Sequence, residues 1–149
     1  MIFVTVGTAH FDPLIMKVDE LVSSGVITDP VVGQIGRGKY LPLNFRYFRF
    51  IRSLKSAYEH AEIIISTGGA GTTMECVTQG CKLVVVENKT LMEGHQAQLL
   101  EEMSRRGHLI WCKDLDDLPK SIEEARYKEF SKFVTDESRI PRLIEEILS

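Results

Sequence analysis

The feature that most constrains this chain is the stretch from Ile63 to Glu87, with the sequence IIISTGGAGTTMECVTQGCKLVVVE. An apolar run ends at a glycine-rich turn, a helix-compatible segment continues to Gln79, and a second apolar run follows Gly80. Short apolar runs joined through a glycine turn and a helix are typical of a βαβ unit. We therefore expect two parallel strands linked by a helix at the centre of the fold.

The glycine turn predicts a phosphate-binding site. Without Cβ atoms at Gly68, Gly69 and Gly71, backbone N–H groups can approach an anion closely. The helix that follows directs its unpaired N–H groups and positive dipole end to the same place. Thr72 and Thr73 add hydroxyl donors. The same glycine content also fits a tight strand-to-helix turn that binds no ligand.

Two familiar phosphate motifs are absent or incomplete. A P-loop needs Lys-Ser or Lys-Thr after its last glycine, whereas no lysine follows Gly71 until Lys82. A dinucleotide fingerprint lacks its last glycine at Met74, although Glu87 stands at a strand end where that motif places an acid. An oxidoreductase that binds NAD therefore remains an alternative interpretation.

The remaining apolar patterns extend the strand and helix alternation to the whole chain. The predicted strands are Ile2–Val6, Val31–Ile35, a more exposed Phe45–Phe50, Ile63–Ile65, Leu83–Val86 and Leu109–Cys112. The predicted helices are Asp12 to a stop at Gly25, Ile51–His60, the segment ending at Gln79, Leu91–Arg106, Leu115–Phe133 and Glu137–Leu148. This pattern indicates one α/β domain over residues 1–149, built on a doubly wound, Rossmann-like parallel sheet.

The carboxyl ends of parallel strands meet at one edge of a sheet, and ligands bind there. The segments expected at this edge are Gly7–Thr8, Gly36, Phe50–Ile51, the glycine turn and Glu87–Asn88. We therefore expect one cleft formed by these segments.

Charge and hydropathy limit the class of protein. The net charge is −3, but residues 31–58 contain six Lys or Arg and no acid. Such a stretch fits a solvated surface, an anionic ligand or a membrane surface. No apolar run approaches the roughly 20 residues of a membrane span, and the start of the sequence lacks the pattern of a signal peptide. The expected location is therefore the cytoplasm.

The three cysteines, Cys76, Cys81 and Cys112, form no CxxC pair. Their odd number argues against structural disulfides, and no histidine lies at zinc-ligand spacing from Cys76 or Cys81. We expect neither structural disulfides nor a metal site.

Three segments resemble a known family: VTVGTAHFDPLI, STGGAGTTMECVTQGCKLVVVEN and LMEGHQAQLLEEMSRRG. They are similar to the carboxyl-terminal, nucleotide-sugar-binding domain of family 28 glycosyltransferases. The similarity is stronger to the one-domain members of that family. These include the subunit of a two-part UDP-N-acetylglucosamine transferase of dolichol-linked oligosaccharide synthesis, and bacterial capsule and exopolysaccharide transferase subunits.

The resemblance implies the donor-binding half of a GT-B enzyme. Such a chain binds a UDP-sugar, either UDP-N-acetylglucosamine or a related hexose or hexuronate donor. A membrane-anchored partner subunit holds a lipid-linked saccharide acceptor and brings the protein to the membrane as a peripheral component. The resemblance implies neither a metal nor another cofactor, and no nucleic-acid partner.

The resemblance also assigns residues to the donor. The diphosphate would be held by Gly69, Ala70, Gly71, Thr72 and Thr73, near Gly7 and Thr8. The ribose hydroxyls would bind Glu75, expected in the first turn of its helix; the uracil ring would lie at Phe50 and Ile51; and the donor sugar would face His95 and Gln96. The family often has His where this chain has Thr67, and Asn where it has Gly94, which leaves the donor sugar open.

The expected reaction is an inverting glycosyl transfer. The acceptor hydroxyl attacks the anomeric carbon from the face opposite UDP, and the glycine-turn N–H groups, the helix dipole and the threonine hydroxyls stabilise the leaving diphosphate. No residue of the chain is identified as the general base, which the partner can supply. A non-catalytic UDP-sugar-binding regulatory module is the alternative. The apolar face predicted for Glu137–Leu148 fits either core packing or docking of that partner.

Overall fold

The computed structural model of the protein describes residues 1–88 and 94–133, apart from the side chains of residues 70 and 94–96. Its strands are β1 (Ile2–Thr5), β2 (Val31–Gln34), β3 (Arg46–Phe48), β4 (Ile63–Ser66), β5 (Leu83–Val86) and β6 (Ile110–Cys112). Its helices are α1 (Asp12–Ser23), α2 (Lys55–His60), α3 (Ala70–Gln79), α4 (Gly94–Arg105) and α5 (Leu118–Tyr127). The helix predicted over Glu137–Leu148 lies outside the described residues.

The six strands form one parallel sheet in the order β3-β2-β1-β4-β5-β6. The chain runs outward from β1 to β3, returns as β4 to the other side of β1, and continues outward to β6. The strand order therefore reverses between β1 and β4, where a doubly wound sheet opens a crevice at its carboxyl edge. This architecture confirms the fold class predicted from the sequence.

Helices cover both faces of the sheet. On one face, α1 and α5 contribute Leu14, Ile15, Val18, Leu118, Ile122 and Ala125 to the core. On the other face, α2, α3 and α4 contribute Tyr58, Cys76, Val77, Leu99, Leu100 and Met103. The central strands β1, β4 and β5 are buried along their whole length, because helices pack against both of their faces.

Two predicted helices begin or end at the wrong residue. The helix expected over Ile51–His60 begins only at Lys55, because the Ser53 hydroxyl accepts a hydrogen bond from the Lys55 N–H at 3.2 Å and favours a turn there. Residues 51–54 remain a loop.

The helix expected over Leu115–Phe133 is a 3-10 turn, Leu115–Asp117, followed by α5. After α5 the chain is extended, and the N–H of Phe133 donates to the carbonyl of Val77 at 3.0 Å. These long-range hydrogen bonds replace the helical ones that the local sequence favours.

Candidate functional site

A cleft of about 730 Å³ opens at the carboxyl edge of the sheet, at the reversal between β1 and β4. Its walls come from the loop after β1, the loop before α2, and the first turns of α3. The lining residues are Val6, Gly7, Thr8, Ala9, Gln34, Ile51, Arg52, Ser53, Leu54, Lys55, Tyr58, Thr67, Gly69, Gly71, Thr72, Glu75 and Gln79. This is the edge at which ligands bind to doubly wound sheets.

The glycines of the turn have two different roles. Gly68 has φ 88°, and a Cβ atom there would lie 3.1 Å from Val85 Cγ1 and 3.4 Å from Leu100 Cδ1. Gly68 is therefore required by backbone conformation and by packing. A Cβ atom on Gly69 or Gly71 would meet no protein atom within 4 Å. The missing side chains of these two glycines keep the cleft open, and core packing does not require glycine at either position.

The N-terminus of α3 faces this open space. The helix begins at Ala70, inside the glycine turn, and no side chain caps it. The N–H of Thr73 donates to the Gly69 carbonyl at 3.0 Å. The preceding N–H groups have no intrahelical acceptor, and the positive end of the helix dipole lies with them. The arrangement suits a phosphate group.

Charged side chains of both signs line the cleft. Glu75 is exposed and lies in the second turn of α3, not in the first turn as expected, because the helix begins as early as Ala70. Arg52 and Lys55 line the facing wall and are exposed. The cleft thus offers cations for an anionic group and a carboxylate that can accept hydrogen bonds from hydroxyl groups.

Tyr58 connects the wall of the cleft to the core. Its ring is buried, and its hydroxyl has no hydrogen-bond partner within the described chain. Burial raises the pKa of Tyr58, and the neighbouring Glu75 carboxylate raises it further, so the phenol remains protonated. Ser66 and Thr73, on either side of the glycine turn, also have buried hydroxyls that lack a partner among the described residues. Unsatisfied buried hydroxyls are uncommon in folded proteins.

The loop after β1 is held by hydrogen bonds at its base. The Thr5 hydroxyl donates to Gln34 Oε1 at 2.6 Å and accepts from the Gly7 N–H at 3.1 Å. Gly7 has φ 66°. Gly36 lies behind this loop, because a Cβ atom there would fall 2.1 Å from the Ala9 carbonyl oxygen. Gly36 therefore supports the cleft instead of lining it.

The structure brings most of the predicted donor-binding residues to one cleft. The residues that line it are Gly7, Thr8, Ile51, Gly69, Gly71, Thr72 and Glu75. Their contacts with a ligand remain a prediction.

Some predicted site residues do not line the cleft. Phe50 is exposed but lies outside the lining, and so do Glu87 and Asn88. Thr73 is fully buried, because its side chain turns into the sheet-facing side of α3, and its hydroxyl does not reach the cleft surface. The side chains of Ala70, His95 and Gln96 are outside the described part of the structure.

Several cleft residues were not assigned from the sequence, namely Gln34, Arg52, Ser53, Lys55, Tyr58, Thr67 and Gln79. Arg52 and Lys55 belong to the basic stretch of residues 31–58, which is the one sequence signal that could have found them. Tyr58 has the spacing of a core residue, so its position at the cleft could not be deduced from pattern alone.

Residues 1–88 and 94–133 contain neither a metal-binding cluster nor a helix able to span a membrane. This part of the chain has no cluster of three or more His, Cys, Asp or Glu side chains placed to hold a metal ion. It also has no helix with the length and apolar character required to cross a bilayer.

Comparison with known proteins identifies the family. Residues 1–141 match the glycosyltransferase family 28 C-terminal domain. The chain is 38% identical over 123 residues to the mouse UDP-N-acetylglucosamine transferase subunit ALG13, which covers 74% of this chain and 10% of the mouse protein. It is 29% identical over 163 residues to the protein of the same name from Yarrowia lipolytica, covering 97% of this chain and 82% of that protein. The chain thus spans about a tenth of the length of its mouse relative.

Solved structures show the same fold. An NMR structure of ALG13 superposes with a TM-score of 0.63 at 20% identity, covering 99% of this chain and 96% of that one. The glycosyltransferase SnogD from Streptomyces nogalater superposes with a TM-score of 0.60 at 21% identity, covering 99% of this chain and 39% of that one. At such identities the likeness shows the fold, which is that of one half of a GT-B glycosyltransferase. From the match over residues 1–141, the chain belongs to the glycosyltransferase family 28 C-terminal domain family.

Proposed function

We propose that this chain is the donor-binding subunit of a split, inverting glycosyltransferase that uses a UDP-sugar. The observation that carries the proposal is the uncapped N-terminus of α3 at the cleft, next to two glycines whose missing side chains leave space for a ligand. A diphosphate at this position would accept hydrogen bonds from the first N–H groups of the helix. Family membership and the names of the mouse and Yarrowia relatives support UDP-N-acetylglucosamine as the donor.

The charges of the cleft suit the other parts of a nucleotide sugar. Glu75 is one turn further along α3 than the diphosphate position, and its carboxylate can accept hydrogen bonds from the two ribose hydroxyls. Ile51 offers apolar contact to the uracil ring at the opposite wall. Arg52 and Lys55 contribute positive charge to the field around the phosphates. His95 and Gln96 follow β5 at the same edge of the sheet and are proposed to address the sugar.

The chemistry that the chain can perform is stabilisation of the leaving group. As the bond to the anomeric carbon breaks, negative charge grows on the UDP diphosphate, and the preorganised N–H groups of α3 offset that charge. Loss of one such donor typically costs about 3 kcal/mol of barrier. We propose that no metal takes part in this step. The proton of the acceptor hydroxyl would pass to a base on a partner chain.

The word subunit in the names of both relatives supports an assembly with a second chain. We propose that this partner is anchored in the membrane, that it binds a lipid-linked saccharide as acceptor, and that it holds the present chain at the cytoplasmic surface. The proposal assigns the described cleft residues to the donor and assigns the acceptor to this second chain.

A panel of ligands tests the proposal. UDP and UDP-N-acetylglucosamine should raise the melting temperature, by the equivalent of about 2.7 kcal/mol at a hundredfold excess over Kd, whereas NAD should not. Chelation of divalent metals with EDTA should leave the UDP shift unchanged. Glu75→Gln should weaken UDP binding at least about tenfold, because a hydrogen bond to a charged acceptor contributes roughly 1.5–3 kcal/mol.

Glu124→Gln is the matched control for that substitution. Glu124 is an exposed acid on α5 outside the cleft lining, so the same loss of charge should leave UDP affinity unchanged. Equal loss of affinity in both variants, or a larger thermal shift with NAD than with UDP, would contradict the proposed function.

A further inference from the structure

The C-terminal end of α3 brings two cysteines together. Gly80 ends the helix with φ 74°, and its N–H donates to the Val77 carbonyl at 3.3 Å. The N–H of Cys81 donates to the Cys76 carbonyl at 3.0 Å. This pair of hydrogen bonds is the Schellman motif, in which the residue after the glycine packs against the residue whose carbonyl it caps. Side chains at these two positions of the motif are commonly in contact, and Cys81 packs against the core cluster that contains Cys76.

The two thiols differ in exposure and in acidity. Cys76 is fully buried, whereas Cys81 is partly exposed. The Cys81 thiol donates to the Tyr58 carbonyl at 3.5 Å. The neighbouring Cys76 side chain lowers the pKa of Cys81, whereas the neighbouring Cys81 side chain, together with burial, raises the pKa of Cys76. Thiolate is the nucleophilic form of cysteine. Cys81 is therefore both the more accessible and the more reactive thiol of the pair.

Cys81 also borders a second cavity, of about 520 Å³, at the amino ends of β4 and β5. Lys82 and Arg126 line this cavity together with a single acid, Glu62. The charge of Arg126 is balanced by its ion pair with Asp29, so the Lys82 ammonium is the group that attracts anionic reagents to this cavity. The cavity thus gives a small anionic molecule access to the Cys81 sulfur.

We propose that Cys76 and Cys81 form a reversible redox site, which closes to an intrachain disulfide by exchange with a low-molecular-weight disulfide such as glutathione disulfide. The Cys81 thiolate attacks one sulfur of glutathione disulfide, and one glutathione leaves and takes up the proton that Cys81 has lost. The Cys76 sulfur then attacks the Cys81 sulfur of the mixed disulfide. The second glutathione leaves with the Cys76 proton. Two protein thiols are oxidised by two electrons, and glutathione disulfide is reduced to two glutathione molecules.

Cys112 provides an internal control. It packs in the core on the opposite face of the sheet from Cys76, and its thiol donates to the Asp114 carbonyl at 3.0 Å. No other cysteine of the chain shares that core. We expect Cys112 to remain a free thiol under the same conditions.

The full chain should be incubated with glutathione disulfide, and then alkylated and digested with trypsin. Both cysteines lie in one tryptic peptide, Ser56–Lys82, so the disulfide appears as the loss of two hydrogens and of both alkylation sites. Dithiothreitol should restore both. Cys76→Ser should stop at the mixed disulfide and retain one glutathione on Cys81. Cys81→Ser should leave Cys76 unmodified.

Three results would overturn the proposal. The first is a wild-type peptide that stays reduced while glutathione disulfide is in excess. The second is a wild-type peptide that retains glutathione on Cys81 without closing the ring. The third is modification of Cys76 in Cys81→Ser as fast as in the wild-type chain. The first two results are measured on the wild-type chain alone, so they test the redox site even where a variant folds poorly. Neither result depends on the proposed nucleotide site.

Discussion

Gly71 is a position at which the stability of α3 and the space for the proposed ligand favour different residues. It lies in the first turn of α3 with negative φ, where glycine stabilises a helix less than alanine does. The structure offers no packing reason for glycine there, since a Cβ atom would meet no protein atom within 4 Å. The proposed nucleotide would supply a reason, because its phosphates would occupy that space.

We therefore expect Gly71→Ala to change stability and affinity in opposite directions. The free energy of unfolding should rise by about 0.5–1 kcal/mol. UDP affinity should fall about tenfold or more, equivalent to about 1.4 kcal/mol, because the methyl group enters the cleft. Urea denaturation and titration calorimetry measure the two effects. Unchanged UDP affinity in a folded Gly71→Ala protein would argue against a phosphate at this turn.

Gly68→Ala is the contrasting variant. Gly68 has positive φ, and the added Cβ atom would press against Val85 and Leu100. The free energy of unfolding should therefore fall, by about 1 kcal/mol or more. A stability equal to that of the wild-type chain would show that the turn does not require its left-handed glycine.

Asp19 is a buried acid that organises the segment after β2. Its carboxylate accepts hydrogen bonds from the Tyr40 hydroxyl at 2.6 Å, from the Leu43 N–H at 3.0 Å, and from the backbone and side-chain amides of Asn44 at 2.8 and 3.0 Å. Burial alone would raise the pKa of Asp19, but these hydrogen bonds outweigh it, so the folded pKa lies below the ordinary value of 3.8.

The sign of the resulting pH dependence follows from that lowered pKa. A carboxyl that is more acidic in the folded state contributes stability above the unfolded pKa and loses it as the pH falls through the folded pKa. Stability should therefore decline as the pH falls below the ordinary pKa of 3.8, and Asp19→Asn should flatten this decline in urea denaturation. Asp116→Asn, at an exposed acid, is the control. An equally steep decline in Asp19→Asn would place the acid sensitivity elsewhere.

At the scale of elements, an ion pair connects α5 to the segment just before β2, which is far away in the sequence. The Arg126 guanidinium donates to both carboxylate oxygens of Asp29, just before β2, at 3.0 and 2.5 Å. The side chains are 25% and 15% exposed, so solvent screens the pair only in part. The Lys82 ammonium also donates to the Arg126 carbonyl, at 2.9 Å. This contact joins elements that are far apart in sequence.

Arg126→Met should therefore destabilise the fold by about 1–3 kcal/mol, because the Asp29 carboxylate is left without its partner. Adding Asp29→Asn should recover part of that loss, since the unpaired charge disappears. Lys17→Met is the control, because the Lys17 ammonium approaches the exposed Asp116 carboxylate only to 4.0 Å. Urea denaturation measures the unfolding free energies of the wild-type chain, Arg126→Met, Asp29→Asn, the double variant and Lys17→Met. If the losses of unfolding free energy in the two single variants simply add up in the double variant, the two side chains do not interact.

The elements also show which local patterns are reliable. Apolar runs bounded by glycine or polar residues predicted five of the six strands, because burial in a parallel sheet requires continuous apolar sequence. The alternation of aromatic and basic residues over Phe45–Phe50 predicted the more exposed β3. Helix ends were less well predicted. The start of α2 depends on one Ser53 hydrogen bond, and the extended chain after α5 depends on partners in α3 and at Gly107. Such partners are distant in sequence or compete with the helix, so periodicity does not reveal them.

At the scale of the whole molecule, the order of the strands creates the site. Because the strand order reverses between β1 and β4, the loops after these two strands separate and leave a cleft. The described residues provide that cleft with groups suited to a nucleotide sugar. The acceptor and its base are proposed to belong to another chain.

We therefore expect the isolated chain to bind UDP but to transfer little or no sugar to a lipid-linked acceptor. Activity should appear when the cognate membrane subunit is added, and titration calorimetry on the isolated chain provides the binding control. Rapid transfer by the purified chain alone would contradict the split site. UDP binding that never leads to transfer in the reconstituted assembly would instead favour a regulatory module.

The sequence by itself determined the class of fold and the place of the glycine turn, because both depend on neighbouring residues: apolar runs, their period and the missing side chains of glycine. Only the tertiary structure decided that Tyr58, Arg52 and Lys55 reach the cleft, that Thr73 and Phe50 do not line it, and that Glu75 lies one turn further along its helix. Those outcomes depend on the rotation of each helix and on strand order, which contacts between distant residues establish.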